Sequence, residues 1–473
     1  MKPASRTHAP LVAELDHLDP LMALEAVSQL PYPFLLHSAS RTGGADWSFF
    51  GAEPFQVHRG VPLDTLAAQW RASASATEPG ARIAPFMGGA VGYWAYDLGR
   101  RFERMPDAAR DDLGLPDYVL ALYDVVGAID HAAGRARLIS SGLPLEGAER
   151  TRHAQARLDH MRGVIDRHLP RPSVSRGPGT AARSTFTRDC YLRAVETVRE
   201  HIRAGDIFQA NLSQRWSVVH AEPGPGEAAF AVFRGLVGHS AAPHAAYFNA
   251  GDHAIASASP ERFLELRGRR VTTRPIKGTR PRGVTAAEDE RLARELVASA
   301  KDRAENVMIV DVLRNDLGRV CETGSVRTEA LCALESFPQV HHLVSTVSGQ
   351  LRRGADFFDL LRATFPGGSI TGAPKIRAME ILDGLEPVRR HIYTGAIGYL
   401  DWNGDTDWNI AIRTALFTER SVHFAAGGGI VADSDPHAEY VETLHKAEGM
   451  RLALETLLGP IELGEPTHAG RGR

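Results

Sequence analysis

Lys277 and Glu261 are the residues of this sequence whose types and spacing most directly suggest covalent chemistry. Lys277 lies in the run Pro-Ile-Lys-Gly-Thr, beside Gly278, where backbone can approach a ligand closely. The pattern before it predicts a hairpin with its turn near residues 267–268, and Glu261 precedes the first strand. Acid and amine are therefore expected near one another at the open end. Such a pair suits acid and nucleophilic catalysis, but spacing alone favours the commoner cross-strand salt bridge.

Carboxylates on two predicted helices form a second group. Glu305 recurs with Ile309 and Val312 at helical spacing, on a mostly apolar stripe where a carboxylate needs a cation, a metal or a hydrogen-bond donor. Glu442 and Lys446 share one face of the last helix. Carboxylates from two helices would suit Mg²⁺, which keeps water and substrate as its other ligands. The alternatives are exposure of Glu305 at the edge of its stripe and a surface ion-pair ladder on the last helix.

Three further features could hold anions. The glycine-rich loop 366–374 leads into a predicted helix, and its free N–H groups suit a carboxylate or phosphate. The glycine run 427–429 is predicted to break a strand, and could either offer backbone donors or do no more than end the strand. Arg413, on the polar face of a predicted central strand, could bind a carboxylate through two N–H groups, or be solvated or ion-paired. With Tyr393, these features describe a site for a small polyanionic acid.

The composition of the chain excludes several classes of partner. The 473 residues are 43% hydrophobic and 23% charged, which is ordinary globular composition. A net charge of -3 gives no indication of nucleic acid or an anionic membrane. No apolar run reaches membrane-spanning length, and the N-terminus lacks an apolar signal core. The three cysteines have no metal-binding spacing and indicate free thiols in a reducing cytoplasm.

The predicted elements indicate an α+β fold, because runs of strands are separated by helices without regular βαβ alternation. Helix caps are expected at Thr187, Thr285 and Asp435, and a turn at residues 403–404 between two strands near the end. A segment rich in proline, glycine, serine and arginine predicts a linker at 166–186. We therefore divide the chain into an N-terminal region (1–165), the linker, a second region (187–460) and a tail (461–473).

The order of the motifs resembles that of the chorismate-utilising enzymes from about residue 187 to 455. The N-terminal region is also similar to that family's, through residues 86–93 and 96–97. The resemblance implies large antiparallel sheets packed as an α/β sandwich flanked by helices, as in anthranilate synthase component I. The motifs are Ile-Phe-Gln-Ala-Asn-Leu-Ser at 207–213, Ser-Ala-Ser-Pro-Glu-Arg-Phe at 257–263, Pro-Ile-Lys-Gly-Thr at 275–279, Asp-Val-Leu-Arg-Asn-Asp-Leu at 311–317, His-Leu-Val-Ser at 342–345, the 366–375 loop and the segment 428–442.

Within the family, the subtype depends on two positions. Relatives that add water at C2 carry a lysine at about the position of Gln209 here, which argues against water attack. Anthranilate synthases have alanine where this chain has Lys277. The Pro-Ile-Lys-Gly-Thr run instead resembles aminodeoxychorismate synthase component I, which aminates C4 of chorismate on the route to p-aminobenzoate and folate.

The resemblance also implies residue roles. Lys277 would attack C2 and Glu261 would protonate the departing C4 hydroxyl, after which ammonia would displace the adduct at C4. His342 and Thr371 would line the reacting centre. Glu305 and Glu442 would bind Mg²⁺, which would hold the ring carboxylate. The substrate carboxylates would be held by Tyr393, Arg413, Gly428, Gly429 and Lys446.

The resemblance further implies partners and rivals. No Cys nucleophile motif of a fused glutaminase is found, so ammonia would come free or from a separate glutamine amidotransferase subunit. Ser38 and Pro243 match the tryptophan pocket of some relatives, but His244, Ala245 and residues 47–50 depart from its usual pattern. The alternatives are anthranilate synthase component I and a non-catalytic small-acid-binding subunit of the same fold.

Overall fold

The computed structural model of the protein describes residues 9–39, 46–73, 82–168, 177–220, 224–239 and 242–466. The helices are α1 (Pro20–Val27), α2 (Leu63–Ser73), α3 (Gly147–Asp166), α4 (Arg188–Arg203), α5 (Pro225–His239), α6 (Ala286–Ala298), α7 (Ala300–Gly318), α8 (Phe357–Thr364), α9 (Lys375–Leu385) and α10 (Pro436–Leu458). The strands are β1 (Leu11–Leu15), β2 (Phe34–His37), β3 (Trp47–Gly51), β4 (Gln56–Arg59), β5 (Gly89–Trp94), β6 (Tyr118–Tyr123), β7 (Val125–Asp130), β8 (Arg135–Ser140), β9 (Thr180–Ser184), β10 (Gln209–Val219), β11 (His244–Asn249), β12 (Ala254–Ser259), β13 (Arg262–Arg267), β14 (Arg270–Arg274), β15 (Ile276–Pro281), β16 (Arg327–Ser336), β17 (Val340–Gln350), β18 (Gly372–Ala373), β19 (Ala396–Asp401), β20 (Thr406–Asn409), β21 (Thr414–Phe417), β22 (Ser421–Ile430) and β23 (Ile461–Gly464).

The described strands form two large sheets. The first has the order β1-β8-β7-β3-β2-β11-β12-β21-β22-β10-β9-β23, with β18 also paired to β10. The second has the order β15-β17-β14-β13-β20-β19-β5-β6-β4, with β16 also paired to β17. The pairings between these strands are antiparallel except for β23 with β9. The prediction of an α+β fold with large antiparallel sheets is confirmed, and each sheet takes strands from both sides of the segment 166–186.

The apolar core has three layers. Between the two sheets lie side chains from both, including Phe34 and Ile255 of the first and Tyr93 and Val119 of the second. The outer face of the first sheet packs against α1, α3, α5 and α10. The outer face of the second packs against α2, α7 and α8 and against Met379 of α9. The rest of the apolar face of α9 packs with α4 against β10 of the first sheet. Central strands such as β5, β6 and β12 are covered on both faces and buried throughout, whereas β1, β15 and β16 keep exposed positions.

Two runs whose sequence pattern predicts a single strand, 118–129 and 407–417, cross from one sheet to the other. Tyr118 to Ile129 divides at Asp124 into β6 and β7, and the run 407–417 divides between β20 and β21. A further crossing, which the sequence pattern did not address, lies at Glu261 between β12 of the first sheet and β13 of the second. The continuous-strand predictions were therefore wrong, because an apolar run has the same pattern whether it stays in one sheet or joins two.

The glycine run 427–429 lies inside β22 and does not break it, which corrects a second prediction. A Cβ at Gly427 would lie 2.5 Å from the carbonyl oxygen of Leu212 on β10. A Cβ at Gly429 would lie 1.9 Å from Nε2 of Gln209. The glycines therefore allow the close approach of neighbouring groups within a continuous strand.

Several local predictions agree with the structure. Thr187, Thr285 and Asp435 cap α4, α6 and α10 by accepting backbone N–H groups. The predicted linker and tail lie partly outside the described residues, at 169–176 and 467–473; within them, β9 and β23 pair with one another. None of the described helices combines the length and apolar character that a membrane crossing requires. The three cysteines are free.

Candidate active site

Lys277 lies in a β-bulge on a strand at the edge of the second sheet. β15 pairs with β17, and their register shifts between Ile276 and Thr279, so that β15 carries one extra residue. Gly278 has a φ of 87°, a conformation that favours glycine. A Cβ there would also lie 2.9 Å from Cβ of Asp302 on α7. The bulge thus depends on Gly278, and it determines the direction of the neighbouring lysine.

The Lys277 side chain is half-buried and interacts with three carboxylates and a second lysine. Burial is the main cause that lowers the pKa of Lys277, and the charge of Lys446 acts in the same direction. Glu305, Glu261 and Glu442 oppose the shift without reversing it. Because only the neutral amine is nucleophilic, this direction increases the reactive fraction of Lys277 near neutral pH.

Glu261 lies at the crossing between the two sheets and is 5% exposed. Its carboxyl group accepts hydrogen bonds from the Ser369 hydroxyl and from the backbone N–H of Ile276, the residue before Lys277. Burial raises the pKa of Glu261 to about 7, although both hydrogen bonds and the charge of Lys277 oppose the rise. A carboxyl group with this pKa can donate a proton at physiological pH. The structure therefore brings the predicted acid and amine together.

Glutamates from α7 and α10 cluster beside Lys277. Burial raises the pKa of Glu305 and of Glu439, and the charge of Glu442 contributes to both shifts. A Cβ at Gly428 would lie 2.8 Å from Oε2 of Glu439 and 3.9 Å from Oε1 of Glu442. The glycine therefore leaves space beside the carboxylates, whose mutual repulsion a bound cation would relieve.

The same cluster fits a hard divalent cation. Glu442 is half-exposed and pairs with Lys446 at 2.6 Å, and Lys446 Nζ also donates to the carbonyl of Gly427 at 3.0 Å. Among the described residues, no group of three or more His, Cys, Asp or Glu side chains is arranged to hold a metal ion. Glu305 and Glu442 nevertheless supply the oxygen ligands that Mg²⁺ prefers, and Mg²⁺ commonly takes only one or two protein carboxylates.

Two further polar residues of the site are Arg413, which is cationic, and His342, which is neutral at pH 7. Arg413 lies between β20 and β21 with a φ of 49°, not on the polar face of a central strand as predicted. Burial lowers its pKa, and no acidic group in the described ranges offsets that effect, so the guanidinium is suited to a carboxylate ligand. His342 is held by Thr279 Oγ1 at 2.8 Å from its Nδ1. Burial and the charge of Arg413 lower the pKa of His342 to about 4, which leaves it neutral at pH 7.

Thr371 and Tyr393 lie on segments that one buried arginine connects. The Thr371 hydroxyl is fully buried and donates to a carbonyl of its own loop at 3.0 Å. Arg390 donates to the carbonyl of Ile370 at 3.0 Å and pairs with Glu386 at 2.6 Å. Tyr393 follows three residues later, and burial raises its pKa, so its hydroxyl stays a neutral hydrogen-bond donor.

Sequence reasoning assigned no role to Ser369, Arg390 or Glu386. The i,i+4 spacing of Glu386 and Arg390, three residues before Tyr393, was a usable signal for an ion pair. The contact of Ser369 with Glu261 joins two distant motifs and has no local signal.

Ser38 and Pro243 line one cavity of about 260 Å³ between the two sheets. Its other walls include His37, His244 and Arg262, and none of the residues around Lys277. The two residues predicted to contact tryptophan are thus neighbours in space, at a place distinct from the Lys277 cluster. Tryptophan binding there stays a prediction.

Comparison with known proteins gives a consistent family. The model of the chorismate binding enzyme family matches residues 38–451. The chain is 43% identical over 448 residues to aminodeoxychorismate synthase component 1 of Salmonella typhimurium, covering 91% of this chain and 94% of the relative. It is 40% identical over 448 residues to anthranilate synthase component 1 of Thermus thermophilus, with the same shares covered.

Solved structures agree with these relatives. Anthranilate synthase component I from Streptococcus pneumoniae superposes with a TM-score of 0.74 at 32% identity, covering 87% of this chain and 93% of the other. The menaquinone-specific isochorismate synthase of Escherichia coli has a TM-score of 0.72 at 20% identity, covering 95% of both chains, and shows likeness of fold alone. The curated relatives carry two names, aminodeoxychorismate synthase component 1 and anthranilate synthase component 1, at similar identity.

Proposed function

The chain belongs to the family of chorismate-binding enzymes, and from this premise we propose that it is an aminodeoxychorismate synthase component I, converting chorismate and ammonia to 4-amino-4-deoxychorismate. The observation that carries the proposal is the amine of Lys277, directed by a bulge into a cluster of carboxylates and one residue away from the N–H that binds Glu261. Anthranilate-forming relatives resemble this chain elsewhere but are expected to have alanine at this position.

The proposed reaction uses these two groups in sequence. The neutral Lys277 amine forms a bond to C2 of chorismate while the C4–oxygen bond breaks, and Glu261 protonates the hydroxyl, which leaves as water. Ammonia then forms a bond to C4 and the C2–nitrogen bond to Lys277 breaks. The Lys277 nitrogen keeps its protons in the adduct and leaves as the neutral amine, and the proton released by the attacking ammonia returns to Glu261, so that the net change is replacement of the C4 hydroxyl by an amino group.

We propose that the remaining residues bind and orient the substrate. Arg413 and Tyr393 would hold one carboxylate, and the backbone of residues 428–429 with Lys446 would hold the other. His342 and Thr371 would line the reacting centre as neutral polar groups. Glu305 and Glu442 would hold Mg²⁺, which when bound would neutralise the ring carboxylate.

The supply of ammonia and the setting of the reaction are also proposals. Ammonia would come free or from a separate glutamine amidotransferase subunit, and the product would serve p-aminobenzoate and folate synthesis. We expect a cytoplasmic location, which the three free thiols fit.

The identity of the product tests the proposal. Purified chain incubated with chorismate, Mg²⁺ and ammonium should give aminodeoxychorismate; anthranilate as the main product would overturn the assignment. Any turnover of chorismate would exclude the alternative of a non-catalytic binding subunit.

Substitution of Lys277 tests the covalent step. Lys277→Ala should lose amination driven by glutamine and the amidotransferase, and should lose the chorismate-derived mass on the intact protein. Lys301→Ala is the matched control, because Lys301 is exposed one helical turn before Glu305 and should leave the adduct in place. Unchanged turnover in Lys277→Ala would remove that residue from the mechanism.

A further inference from the structure

The loop 365–374 is closed at both ends by a single lysine. Lys375, the first residue of α9, directly follows the loop, and its Nζ donates to the carbonyl oxygen of Thr364, directly before the loop, at 2.7 Å. The same Nζ donates to Oδ2 of Asp316 on α7 at 2.5 Å. The side chains of Lys375 and Asp316 are 14% and 4% exposed. One buried ion pair thus joins the two ends of the loop and fastens them to α7.

The closed loop is packed tightly against its surroundings. A Cβ at Gly368 would lie 2.8 Å from Cγ1 of Val312 on α7. A Cβ at Gly367 would lie 2.7 Å from Cδ1 of Ile410, in the segment that crosses between the sheets from β20 to β21. The loop therefore has little room to shift while its ends stay fastened. Within this loop, the Ser369 hydroxyl donates to Glu261, the proposed acid.

The contacts of Lys375 exclude a direct part in the reaction. Its amine is occupied by Asp316 and by the Thr364 carbonyl, and it does not contribute to the charges around Lys277. A buried ion pair is weak evidence for stability by itself, because desolvation offsets the attraction. Apolar side chains in place of Lys375 and Asp316 would fill the same space, but they could not hydrogen-bond to the carbonyl of Thr364 before the loop.

We propose that the Lys375–Asp316 ion pair is a positioning clamp that fastens the 365–374 loop to α7 and so keeps Ser369 in contact with Glu261. This inference rests on the proposed function only in taking Glu261 as the proton donor. Without the clamp, Ser369 moves away and Glu261 loses the donor that stabilises its ionised form. Glu261 then holds its proton to higher pH.

Two measurements on Lys375→Met test the clamp. Hydrogen exchange of the amides of residues 367–373, followed by mass spectrometry, should become faster while the rest of the chain keeps its protection. The second measurement compares kcat/KM for amination on the alkaline and acid arms of the pH profile. The alkaline-to-acid ratio should rise about three- to tenfold, because Glu261 loses one hydrogen bond to its carboxylate and its pKa rises.

Asp383→Asn is the matched control. Asp383 is a buried aspartate further along α9, and its carboxylate pairs with Arg100 and accepts from the backbone N–H of Ala108, both outside the loop. The Asp383→Asn substitution should lower the free energy of unfolding without changing hydrogen exchange in the loop or the alkaline-to-acid ratio of kcat/KM. Lys375→Arg, which retains a cation for Asp316, should restore most of the protection.

The outcomes separate the clamp from the proposed function. If Lys375→Met is too unstable, the double variant Lys375→Met with Asp316→Leu replaces the pair by apolar side chains and should show the same loop exchange and ratio. Unchanged loop exchange in a folded variant, or equal changes in Asp383→Asn, would overturn the clamp. A wild-type chain that does not aminate chorismate would overturn the proposed function and leave the exchange result to decide on the clamp.

Discussion

Lys277 and Glu261 must hold opposite protonation states, because the amine attacks only when neutral and the carboxyl donates only when protonated. Burial moves the pKa of each in the required direction. Below both pKa values, kcat/KM should rise about tenfold per pH unit as Lys277 loses its proton, and above both it should fall about tenfold per unit as Glu261 loses its own. A pH profile of amination checks both arms. A rate that stays constant on the alkaline side would exclude Glu261 as the acid.

Ser369 should determine the pH at which kcat/KM for amination begins to fall on the alkaline side of the profile. Its hydrogen bond stabilises the ionised form of Glu261, so Ser369→Ala should raise the pKa of Glu261 above about 7. The ratio of alkaline to acid kcat/KM should then increase about three- to tenfold. Ser345→Ala is the control, because Ser345 is equally buried but bonds to Asn306 and the backbone N–H of Cys332. If the alkaline-to-acid ratio of kcat/KM changes equally in Ser369→Ala and Ser345→Ala, the effect comes from a general loss of packing and not from the hydrogen bond to Glu261.

At the residue scale, motif and spacing predicted that Lys277 and Glu261 lie close together, but not the groups that shift their pKa values. Lys277 and Glu261 could be paired because a local hairpin lies between them. Ser369 and Arg390 could not, because their contacts depend on how the loop 366–374 packs against crossings that are remote in sequence. Arg413 was named as a candidate and assigned the wrong backbone conformation, since a positive φ at an arginine has no sequence signal.

The bulge on β15 is the element that presents Lys277, and Gly278 is its vulnerable point. Gly278→Ala adds a Cβ at a φ of 87° and 2.9 Å from Asp302 Cβ. We expect the free energy of unfolding to fall by about 2–4 kcal/mol, from strain together with overpacking. Amination should fall about 10²-fold as the amine is displaced. Denaturant unfolding and steady-state rates measure the two effects.

Gly268 provides the matched control for this substitution. It has a φ of 60° in the turn between β13 and β14, and a Cβ there would meet nothing within 4 Å. Gly268→Ala should therefore cost about 1 kcal/mol of backbone strain and leave amination unchanged. Equal losses of activity in the two variants would show that the bulge has no special part in presenting Lys277.

Helices α7 and α10 bring Glu305 and Glu442 together, so a cation bound by both should join the helices. Mg²⁺ at about 100 times its Kd should raise the free energy of unfolding by about 2.7 kcal/mol, and removal with a chelator should reverse this. Glu305→Gln and Glu442→Gln should abolish the stabilisation. Glu448→Gln, on the outer side of α10 where it pairs with Arg451, should retain it. Stabilisation that persists in both site variants would place the cation elsewhere.

The positions of helices, strands and turns were predicted better than the assignment of strands to the two sheets. The reason is that several chain segments cross from one sheet to the other. Caps, the turn at 403–404 and most strand positions follow from local rules. Glu261 and Arg413 lie at crossings, where an apolar run changes sheets without changing its pattern. The glycines of β22 have a similar cause, since their small size serves contacts with β10 and α10 and not a turn. The site is therefore built where local pattern carries least information.

At the scale of the whole molecule, the covered sheets bury ionisable groups whose titration should shape stability. Burial lowers the pKa of His423 to about 3 and of His342 to about 4, against an ordinary value near 6.5. Above pH 6.5 these side chains are neutral in both folded and unfolded chains. As the pH falls from there towards 4, the unfolded chain binds protons that the folded chain does not, so the free energy of unfolding decreases. Glu261 and Asp401, whose pKa values are raised, act in the opposite direction over the same range.

Because these contributions oppose one another, the difference between a variant and the wild type isolates one histidine. His423 accepts or donates to Ser217 at 2.7 Å and Ser421 at 2.8 Å, and glutamine can bond to both without titrating. His423→Gln should therefore reduce the loss of unfolding free energy between pH 6 and 4 by about 1.4 kcal/mol per pH unit, measured by urea unfolding at successive pH values. His445→Gln, an exposed position on α10, should leave the slope unchanged. An unaltered slope in His423→Gln would mean that the folded chain admits a proton at His423 as readily as the unfolded chain does.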